Sequence, residues 1–358
     1  MTWWLAPLAL AVGLFAVAAQ AREGVPPYAH IFVIMDENKE YAQLHDAALA
    51  PNFVALAKRY GEATEFFGEV HPSEANYVAL LGGSTFGIHD DDWFGCKPGM
   101  AADPRCAKAT APGYVDHTVH APQLGDLLEA TGQNWKAYLE SLPGAGSLAY
   151  IASDPIFFNG ARKTALYASK HTGFLNFADV QADPRRAEHL VDFRRLKADL
   201  ASGDLPAFAL VIPNQCHDMH GLEGATIPAE CRKQPYGPLV RRGDEELGEL
   251  VGEIEASGAW KGPQNFAIVI TFDEGAGKDR SGCCGVSPDA ISNFGGGHIP
   301  TLVITNHGPR GLADPTPYNH YSLLRTIEDA FNLQPYLGLA ADTAAGVRPM
   351  TPLFAVPR

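Results

Sequence analysis

Two short apolar segments of this 358-residue chain end abruptly in carboxylates. Residues 31–35 (IFVIM) lead into DEN at 36–38, and residues 266–272 (FAIVITF) lead into DEG at 273–275. Runs this short and this rich in Val, Ile and Phe are typical of buried strands in a parallel sheet. Because ligands of open α/β sheets bind at the carboxyl ends of the strands, these two ends predict a shared crevice. Clustered negative groups are costly to bury, so the pattern indicates a metal site there.

Strand and helix patterns alternate along the rest of the chain. Further apolar runs at 208–212 and 301–305 predict two more central strands. Apolar residues at helical spacing predict helices at 51–60, 122–130, 244–256 and 321–331. This alternation predicts an α/β fold with three layers, α/β/α, in which a mostly parallel central sheet has helices on both faces.

Two segments lack any periodic pattern. Residues 86–120 and 275–298 are rich in Gly, Pro, Asp and Cys, which predicts long functional loops over the edge of the sheet. No linker divides the chain, so we expect a single domain, 22–358, with these loops as insertions. The formal net charge of −14 and the lack of a basic block argue against a nucleic-acid partner.

The N-terminal segment predicts export. Residues 5–18 are apolar and residues 19–21 (AQA) have the small-x-small form of a cleavage site, a pattern typical of a secretory signal peptide at 1–21. The alternative is an uncleaved membrane anchor, but a bilayer span needs about 20 apolar residues. We therefore expect a secreted or periplasmic protein that is not inserted in a membrane after signal removal.

Six cysteines in an exported chain favour disulfide bonds. Proximity in sequence suggests the pairs Cys96–Cys106 and Cys216–Cys231, each of which closes a loop. The two adjacent cysteines at 283–284 leave two alternatives, a vicinal pair or bonds elsewhere. A zinc site is the weaker interpretation, because the cysteines lack the CxxC spacing.

Ser73 is the candidate nucleophile. It follows Pro72 at the start of an apolar helical stretch, where a serine commonly serves only as the helix N-cap. A helix N-terminus also stabilises an alkoxide or a bound phosphate, and a nearby divalent cation lowers the pKa of a hydroxyl. The segment by itself leaves both interpretations open, and capping is the more common of the two.

A dense group of titratable residues follows the predicted strand at 208–212. His217, Asp218 and His220 lie within four positions of one another, directly beyond an apolar run. Such density at the carboxyl end of a strand is typical of a metal or phosphate site. The alternative is a loop of ordinary turn residues, and the local sequence does not separate the two.

The other candidates also lie at predicted strand or helix ends. Asp273 and Glu274 precede glycines that allow both carboxylates to face one ion, which suits Mg²⁺, Ca²⁺ or Mn²⁺. His298 follows three glycines at the entrance of a strand, from which it could reach the crevice. His320 lies at the start of a helix, where it either contacts a phosphate or caps the helix.

Taken together, these motifs resemble the phosphoesterase family of bacterial acid phosphatases and phospholipases C, within the alkaline-phosphatase superfamily. The resemblance covers about residues 29–333 and implies an alkaline-phosphatase-like fold. The motifs that carry it are DEN at 36–38, HPSEANY at 71–77, YASKH at 167–171, PNQCHDMHG at 213–221, TFDEGAG at 271–277, GGGHIP at 295–300 and YNHYSLLRTIED at 318–329.

The resemblance implies a role for each matching residue. Glu37 and Asn38 match the first metal-binding pair of the family. Asp273 and Glu274 match the later acidic metal pair, where some members have Asp-Asp, and Ser73 matches the nucleophile. Either of two histidines, at 220 and 298, would protonate the leaving group. The residues that would line the pocket as phosphate contacts, ligands or proton donors are His71, His217, Asp218, His220 and His298.

The resemblance implies an exported, metal-dependent hydrolase of phosphoric esters, in first place an acid phosphatase that acts on small phosphomonoesters through a phosphoserine. The metal identity, the number of ions and the oligomeric state stay open. The alternatives are a phosphodiesterase of phospholipase C type and a non-catalytic exported protein that binds metal or phosphate. The chain ends near residue 358 without the C-terminal domains of the phospholipases C, which favours the phosphatase. A sulfatase would need Cys/Ser-x-Pro-x-Arg, and the segment from Cys96 lacks the Arg.

Overall fold

The computed structural model describes residues 24–100, 102–153, 165–224, 227–285 and 293–356. The expected signal peptide at 1–21 lies outside these residues, as does part of the predicted loop at 275–298. The strands in the described residues are β1 (His30–Asp36), β2 (Gly61–Phe67), β3 (Trp135–Leu139), β4 (Ile151–Ser153), β5 (Ala165–Ala168), β6 (Leu190–Val191), β7 (Phe208–Ile212), β8 (Phe266–Phe272), β9 (His298–Thr305), β10 (Leu312–Asp314) and β11 (Tyr318–Asn319). The α-helices are α1 (Tyr41–Leu44), α2 (Pro51–Arg59), α3 (Glu74–Gly82), α4 (Leu124–Ala130), α5 (Ala178–Ala182), α6 (Arg186–His189), α7 (Phe193–Ser202), α8 (Tyr236–Ala256), α9 (His320–Phe331) and α10 (Thr351–Phe354).

Most of the strands form one central sheet in the order β10-β2-β9-β8-β1-β7-β3-β6, with β11 also paired to β2. The block β8-β1-β7-β3-β6 is parallel throughout, whereas β9 is antiparallel to both of its neighbours, β8 and β2. The predicted mostly parallel sheet is therefore confirmed, but the strand expected at 301–305 runs against it. Its composition could not reveal this, because a strand buried on both faces is apolar throughout in either direction.

Helices cover both faces of the sheet and form the two outer layers of the three-layer fold. Every residue of β7 and β8 is buried, which requires cover on both faces of the sheet. One group of packed helices contains α2, α7 and α8, and another contains α3, α4 and α9. Helix α8 begins at Tyr236, well before the predicted start at 244. Pro238 is compatible with this early start, since it falls in the first turn of the helix, where a missing N–H is tolerated.

The position of β1 between β7 and β8 brings distant parts of the chain together. The three strands are parallel, so the residues that follow them meet at one edge of the sheet. At that edge the backbone amide of Asp273 donates to the carbonyl of Asp36 at 3.1 Å. The amide of Glu37 donates to the carbonyl of Asp218 at 2.7 Å. The predicted crevice at the carboxyl ends therefore contains residues from all three strand ends.

Three disulfide bonds hold loops outside the sheet. Cys96–Cys106 and Cys216–Cys231 pair as predicted, with Cα atoms 5.5 and 4.4 Å apart. The adjacent cysteines at 283–284 form the vicinal pair, one of the two alternatives. Because Cys96 is bonded to Cys106, it is not available as the nucleophile of a sulfatase.

The predicted functional loops lack regular structure where they are described. No helix or strand forms within residues 86–100, 102–120, 275–285 and 293–297. Backbone without regular structure can follow the shape of a ligand, and both loops lie next to the crevice. Among the helices of the described residues, none has both the length and the apolar character that crossing a bilayer requires.

Candidate active site

Ser73 lies directly before α3 but its side chain does not cap the helix. The residue has helical dihedral angles (φ −50°, ψ −54°) and makes no side-chain cap hydrogen bond. Its hydroxyl lies 3.1 Å from Glu37 Oε2 and 3.3 Å from Glu274 Oε1. The amide of Glu74, the first residue of the helix, donates instead to Asp91 Oδ1 at 3.2 Å. The capping interpretation is therefore wrong, and the hydroxyl faces the carboxylates.

The four predicted metal-binding residues surround this hydroxyl. Asn38 Nδ2 donates to Glu274 Oε1 at 2.7 Å and lies 3.4 Å from Ser73 Oγ. The backbone amide of Asn38 donates to Asp273 Oδ1 at 3.0 Å. Glu37, Asp273 and Glu274 are all buried. Two residues from the end of β1 and two from the end of β8 thus converge on one serine.

Two histidines and an aspartate lie on the far side of Glu37. Glu37 Oε1 accepts a hydrogen bond from the Tyr77 hydroxyl at 2.6 Å and lies 3.2 Å from His171 Nε2. Asp218 Oδ2 lies 3.5 Å from His171 Nδ1, and the ring centroids of His171 and His220 are 5.3 Å apart. Glu37, His171 and His220 each offer one ligand atom, and these atoms lie within 4.8 Å of one another. This group extends the carboxylates around the serine into a mixed oxygen and nitrogen donor set.

Burial raises the pKa of every carboxyl group in the cluster. The pKa of Glu37 rises well above its usual value through burial and then through the charges of Asp273 and Asp218. Burial likewise raises the pKa of Asp218 and of Asp273, and it raises that of Glu274 to about 7. Among the described residues, Asp218 Oδ2 and Asp273 Oδ2 are buried oxygens without a hydrogen-bond partner. A divalent cation would neutralise this charge and occupy these oxygens, so the residues fit a metal ion.

The pKa shifts of His171 and His220 favour the neutral imidazole, which is the form that metals bind. Burial lowers the pKa of His171 and of His220 well below the usual value, and the charge of Lys170 acts in the same direction. A metal takes the neutral imidazole. His220 donates Nδ1–H to the carbonyl of Gly221 at 2.8 Å, which leaves Nε2 as an acceptor. The geometry therefore suits His220 as a ligand better than as the proton donor that the sequence suggested.

Two lysines, one buried and one half-buried, bring positive charge to the cavity over the serine. Lys170 Nζ donates to Asp91 Oδ2 at 2.7 Å, and Lys39 Nζ donates to the carbonyls of Met219 and Asn38 at 2.8 and 3.1 Å. Burial lowers the pKa of Lys39 to about 8, although the negative charges of the nearby carboxylates act to raise it. The sequence analysis quoted Lys170 and His171 within the motif YASKH but gave them no role, and it did not name Lys39. The available signal for Lys39 was its position directly after DEN at 36–38.

A cavity of about 370 Å³ opens over Ser73. Asn38, Lys39, Lys170 and Glu274 line it together with the serine. A larger cavity of about 840 Å³ lies elsewhere, but none of the predicted site residues lines it. The smaller cavity is the candidate active site, because within the described part of the chain it brings a serine hydroxyl next to a buried cluster of candidate metal ligands.

Two predicted pocket histidines lie outside this group. His217 Nδ1 lies 2.9 Å from Glu140, and its Nε2 lies 2.9 Å from Arg242 Nη2. It belongs to a separate cluster with Glu140 and Glu246, because the turn beyond β7 directs His217 away from the side that Asp218 faces. His298 stacks on Tyr41 with ring centroids 4.3 Å apart, and its Nε2 lies 2.8 Å from the carbonyl of Thr64. It reaches the correct edge of the sheet but turns away from the serine.

Two other histidines support the cluster from behind. His71 Nδ1 contacts Glu274 Oε2, and its Nε2 lies 3.1 Å from the carbonyl of Asp279. His71 therefore orients a carboxylate rather than lining the cavity. His320 Nδ1 lies 2.5 Å from Glu69 Oε2, and its Nε2 lies 2.9 Å from the carbonyl of Phe272. That contact fixes the backbone directly before the acidic pair and leaves no phosphate site at the start of α9.

A buried histidine ties the loop 86–120 to the start of α3. His117 Nδ1 lies 3.0 Å from Glu74 Oε2, and its Nε2 lies 3.1 Å from Asp90 Oδ1. Burial alone lowers the pKa of His117, but the hydrogen bonds to Asp90 and Glu74 outweigh it and raise the pKa to about 10. The imidazolium thus pairs with two carboxylates next to the candidate nucleophile.

His117→Gln should destabilise the fold, and the loss should depend on pH. We expect a loss of about 3 kcal/mol near neutral pH, because two buried carboxylates lose their cation. The folded pKa lies above the usual 6.5, so the stabilisation is complete below pH 6.5 and is lost as the pH rises to about 10. Denaturant unfolding of both proteins at about pH 6 and about pH 9.5 measures the difference. A difference in unfolding free energy between the two proteins that does not change with pH would contradict the pairing of His117 with the two carboxylates.

Comparison with known proteins places the chain in a family. The sequence profile of the Phosphoesterase family matches residues 43–334. A phosphatidylinositol-3-phosphatase of Mycobacterium tuberculosis is 27% identical over 335 residues, which cover 94% of this chain and 87% of that protein. An acid phosphatase of Aspergillus fumigatus is 27% identical over 317 residues, which cover 88% of this chain. The chain spans 57% of the length of this fungal relative.

A solved structure shares the fold. It is a protein of the alkaline phosphatase superfamily from Vibrio parahaemolyticus, with a TM-score of 0.52 and 14% identity, and the match covers 87% of this chain and 68% of that chain. At this identity the likeness concerns the fold alone. The family profile, by contrast, covers most of the sequence, and both relatives carry the names of phosphatases. The chain therefore belongs to the phosphoesterase family and is a phosphoric ester hydrolase.

Proposed function

We propose that this chain is an exported, metal-dependent phosphatase that hydrolyses phosphomonoesters through a phosphoserine at Ser73. The position of the Ser73 hydroxyl carries the proposal. It lies at the N-terminus of α3, between the carboxylates of Glu37 and Glu274 and an open cavity. A helix N-terminus stabilises both a nascent alkoxide and a phosphate dianion. The three disulfides support export, because such bonds persist in oxidising compartments.

The donor set around Ser73 would hold a divalent metal ion. When bound, the ion would lower the pKa of the serine hydroxyl and offset charge on the phosphoryl oxygens. Carboxylates with neutral imidazoles suit Zn²⁺, Fe or Mn²⁺, and the residues are compatible with one ion or two. The residues predicted for this role are Glu37, Asn38, Asp273 and Glu274, and the structure adds Asp218, His171 and His220 as neighbouring donors.

The chain's own groups then perform the transfer. Ser73 Oγ attacks phosphorus in line with the leaving oxygen, and its proton passes to a carboxylate within hydrogen-bonding distance. The bond from phosphorus to the leaving oxygen breaks, and this oxygen takes a proton from solvent and departs as the alcohol, while Lys39 and Lys170 attract the non-bridging oxygens. Water attacks the phosphoserine, releases phosphate and restores the hydroxyl. His217 and His298 take no part in this proposal, because neither reaches the cavity.

A monoester matches the cavity better than a diester. A phosphomonoester is a dianion near neutral pH, and Lys39 and Lys170 offer matching charge in the cavity over the serine. A diester carries a single charge and a second substituent. The cavity of about 370 Å³ lies at the small end of the usual range for ligand pockets, about 300–1,000 Å³. Rates with p-nitrophenyl phosphate and p-nitrophenyl phosphorylcholine separate the phosphatase from the phospholipase C type.

Removal of metal should abolish activity and loosen the site. Dialysis of the purified protein against EDTA should lower kcat/KM for p-nitrophenyl phosphate by about 100-fold or more. It should also lower the Tm, because the buried carboxylates then repel one another without a counter-charge. Return of single divalent metals, one at a time, should restore both quantities for the metal that the site binds. Undiminished activity in protein that elemental analysis shows to be free of metal would refute the metal dependence.

A further inference from the structure

The cavity over Ser73 has an unpaired lysine at its mouth. Lys233 lines the cavity together with Gln234 and Tyr236, at the end where the chain is exposed. Within the residues that the structure describes, the Lys233 ammonium group makes no hydrogen bond or ion pair. The two lysines at the floor, the buried Lys39 and the half-buried Lys170, donate to oxygens of the protein. The Lys233 cation at the mouth is therefore available to a ligand, whereas the two cations at the floor already have hydrogen-bond partners within the protein.

The backbone holds Lys233 in a fixed position. The amide of Lys233 donates to the carbonyl of Leu222 at 3.1 Å, and the amide of Leu222 donates to the carbonyl of Cys231 at 2.8 Å. The disulfide from Cys216 to Cys231 closes this loop. A Cβ atom at Gly221 would lie 2.8 Å from the backbone of Lys233, so the two segments are in close contact. These contacts place the main chain of Lys233 beside the cavity, and its exposed side chain extends from that point.

The same loop carries site residues, so the two ends of the cavity are mechanically linked. Asp218 and His220 lie between the two half-cystines and reach the metal-binding cluster. His220 and Lys233 both line the cavity over Ser73.

A second cavity begins where the first ends. It has a volume of about 490 Å³, and Lys233 and Gln234 line both cavities. Leu222, Glu223 and Arg232 also line it, so it combines an apolar surface with a second cation and one carboxylate. A leaving group that extends beyond the small cavity over the serine passes Lys233 on its way to this space. The chain as a whole is strongly acidic, with a net charge of −14, so this cationic mouth is local.

We propose that Lys233 binds a second anionic group of the substrate, on its leaving-group side. The preferred substrates are then phosphomonoesters that carry another phosphate or carboxylate, and the inference rests on the phosphatase function proposed above. The second anion has two possible sources with the same chemistry, a soluble bisphosphate or the phosphodiester headgroup of a phosphorylated lipid. In both, the scissile phosphate occupies the floor at Ser73 and the second anion pairs with Lys233.

The test compares substrates that differ by one anionic group. Initial rates are measured with glucose 6-phosphate, glucose 1,6-bisphosphate and p-nitrophenyl phosphate for the wild type and for Lys233→Gln. We expect the variant to lower kcat/KM for the bisphosphate by about fivefold, mainly through KM, as an exposed ion pair allows. The two substrates with a single anion should change less than about twofold, and added salt should shrink the bisphosphate effect.

Lys58→Gln is the matched control. Lys58 is exposed near the end of α2, which leads into the amino end of β2 at the opposite edge of the sheet. The substitution removes the same charge from the chain and should leave all three substrates unaffected. Failure of the wild type to hydrolyse p-nitrophenyl phosphate would count against the proposed function itself, and not against the role of Lys233.

A vesicle arm distinguishes the two sources of the second anion. Phosphatidylinositol 3-phosphate in phosphatidylcholine vesicles is offered to the same three proteins. A Lys233→Gln loss with vesicles but not with glucose 1,6-bisphosphate assigns the anion to a lipid headgroup, and the reverse assigns it to a soluble substrate. The proposal is overturned if Lys233→Gln leaves kcat/KM unchanged for both glucose 1,6-bisphosphate and the vesicles, or if it slows every substrate equally.

Discussion

Ser73→Ala should reduce hydrolysis of p-nitrophenyl phosphate by about 10⁴-fold or more, because the nucleophile is lost while the rest of the site remains. The fold should be unaffected. The Ser73 side chain makes no cap hydrogen bond to α3, so its removal costs no capping energy. Steady-state rates and thermal unfolding followed by circular dichroism give the two readouts. Full phosphatase activity in Ser73→Ala would exclude the serine mechanism.

Ser322→Ala is the matched control for the nucleophile. Ser322 is also a buried serine in the first turn of a helix, α9, but its hydroxyl lies 3.4 Å from Asn319 Oδ1 and outside the carboxylate cluster. We expect it to retain near wild-type rates. A covalent readout completes the experiment: acid quenching of the wild type during turnover should trap phosphate on the peptide that contains Ser73. Phosphate found on another residue would assign the nucleophile elsewhere.

Asp273→Asn should abolish metal-dependent activity and yet stabilise the protein without metal. The side chain keeps its size, and its Oδ1 still accepts the amide of Asn38. One negative charge disappears from a buried cluster that also contains Glu37 and Asp218, so the metal-free protein should gain about 1–2 kcal/mol. Loss of a ligand should lower activity by about 100-fold or more.

Asp244→Asn is the matched control and should change the stability of the metal-free protein in the opposite direction. Asp244 is also a buried aspartate, but its carboxylate accepts the amides of Asn52 and Phe53 at 2.9 and 2.8 Å in the first turn of α2. Asn in its place offers one acceptor oxygen instead of two and leaves a buried helix amide unpaired, so Asp244→Asn should lower the Tm of the metal-free protein and spare activity. Thermal unfolding of both variants, with EDTA and then with added metal, measures the contrast. A metal-free Asp273→Asn that is less stable than the wild type would argue against charge repulsion in the cluster.

The strands at the centre of the sheet were readable from local sequence because burial on both faces makes them apolar throughout. The predicted ranges for β7 and β8 coincide with the observed strands, and β1 extends only one residue beyond its predicted range at each end. Strands with mixed composition escaped detection. In β3 (WKAYL), Lys136 is buried only because Asp199, on α7, accepts its Nζ at 2.6 Å. A polar residue whose partner lies 63 positions away gives no strand signal in its own neighbourhood.

The site residues also divide into those that local sequence predicts and those that depend on tertiary contacts. Strand ends rich in carboxylates indicated Glu37, Asn38, Asp273 and Glu274, and the structure brings these four together around Ser73. The sequence could not show that Ser73 leaves its helix uncapped, because the substitute acceptor, Asp91, belongs to a loop without periodic pattern. Nor could it separate the inward Asp218 from the outward His217, since that choice depends on how the chain turns beyond β7.

By itself, then, the sequence determined the layered fold, the acidic strand ends and the disulfide pairs at 96–106 and 216–231, because each depends on residues close together in the chain. Only the tertiary structure decided which groups share the cavity. It placed β1 between β7 and β8, reversed β9 so that His298 arrives at the correct edge but turns away, and delivered Lys170 and His171 from a segment without periodic pattern. Those outcomes depend on packing between distant segments, which no local pattern encodes.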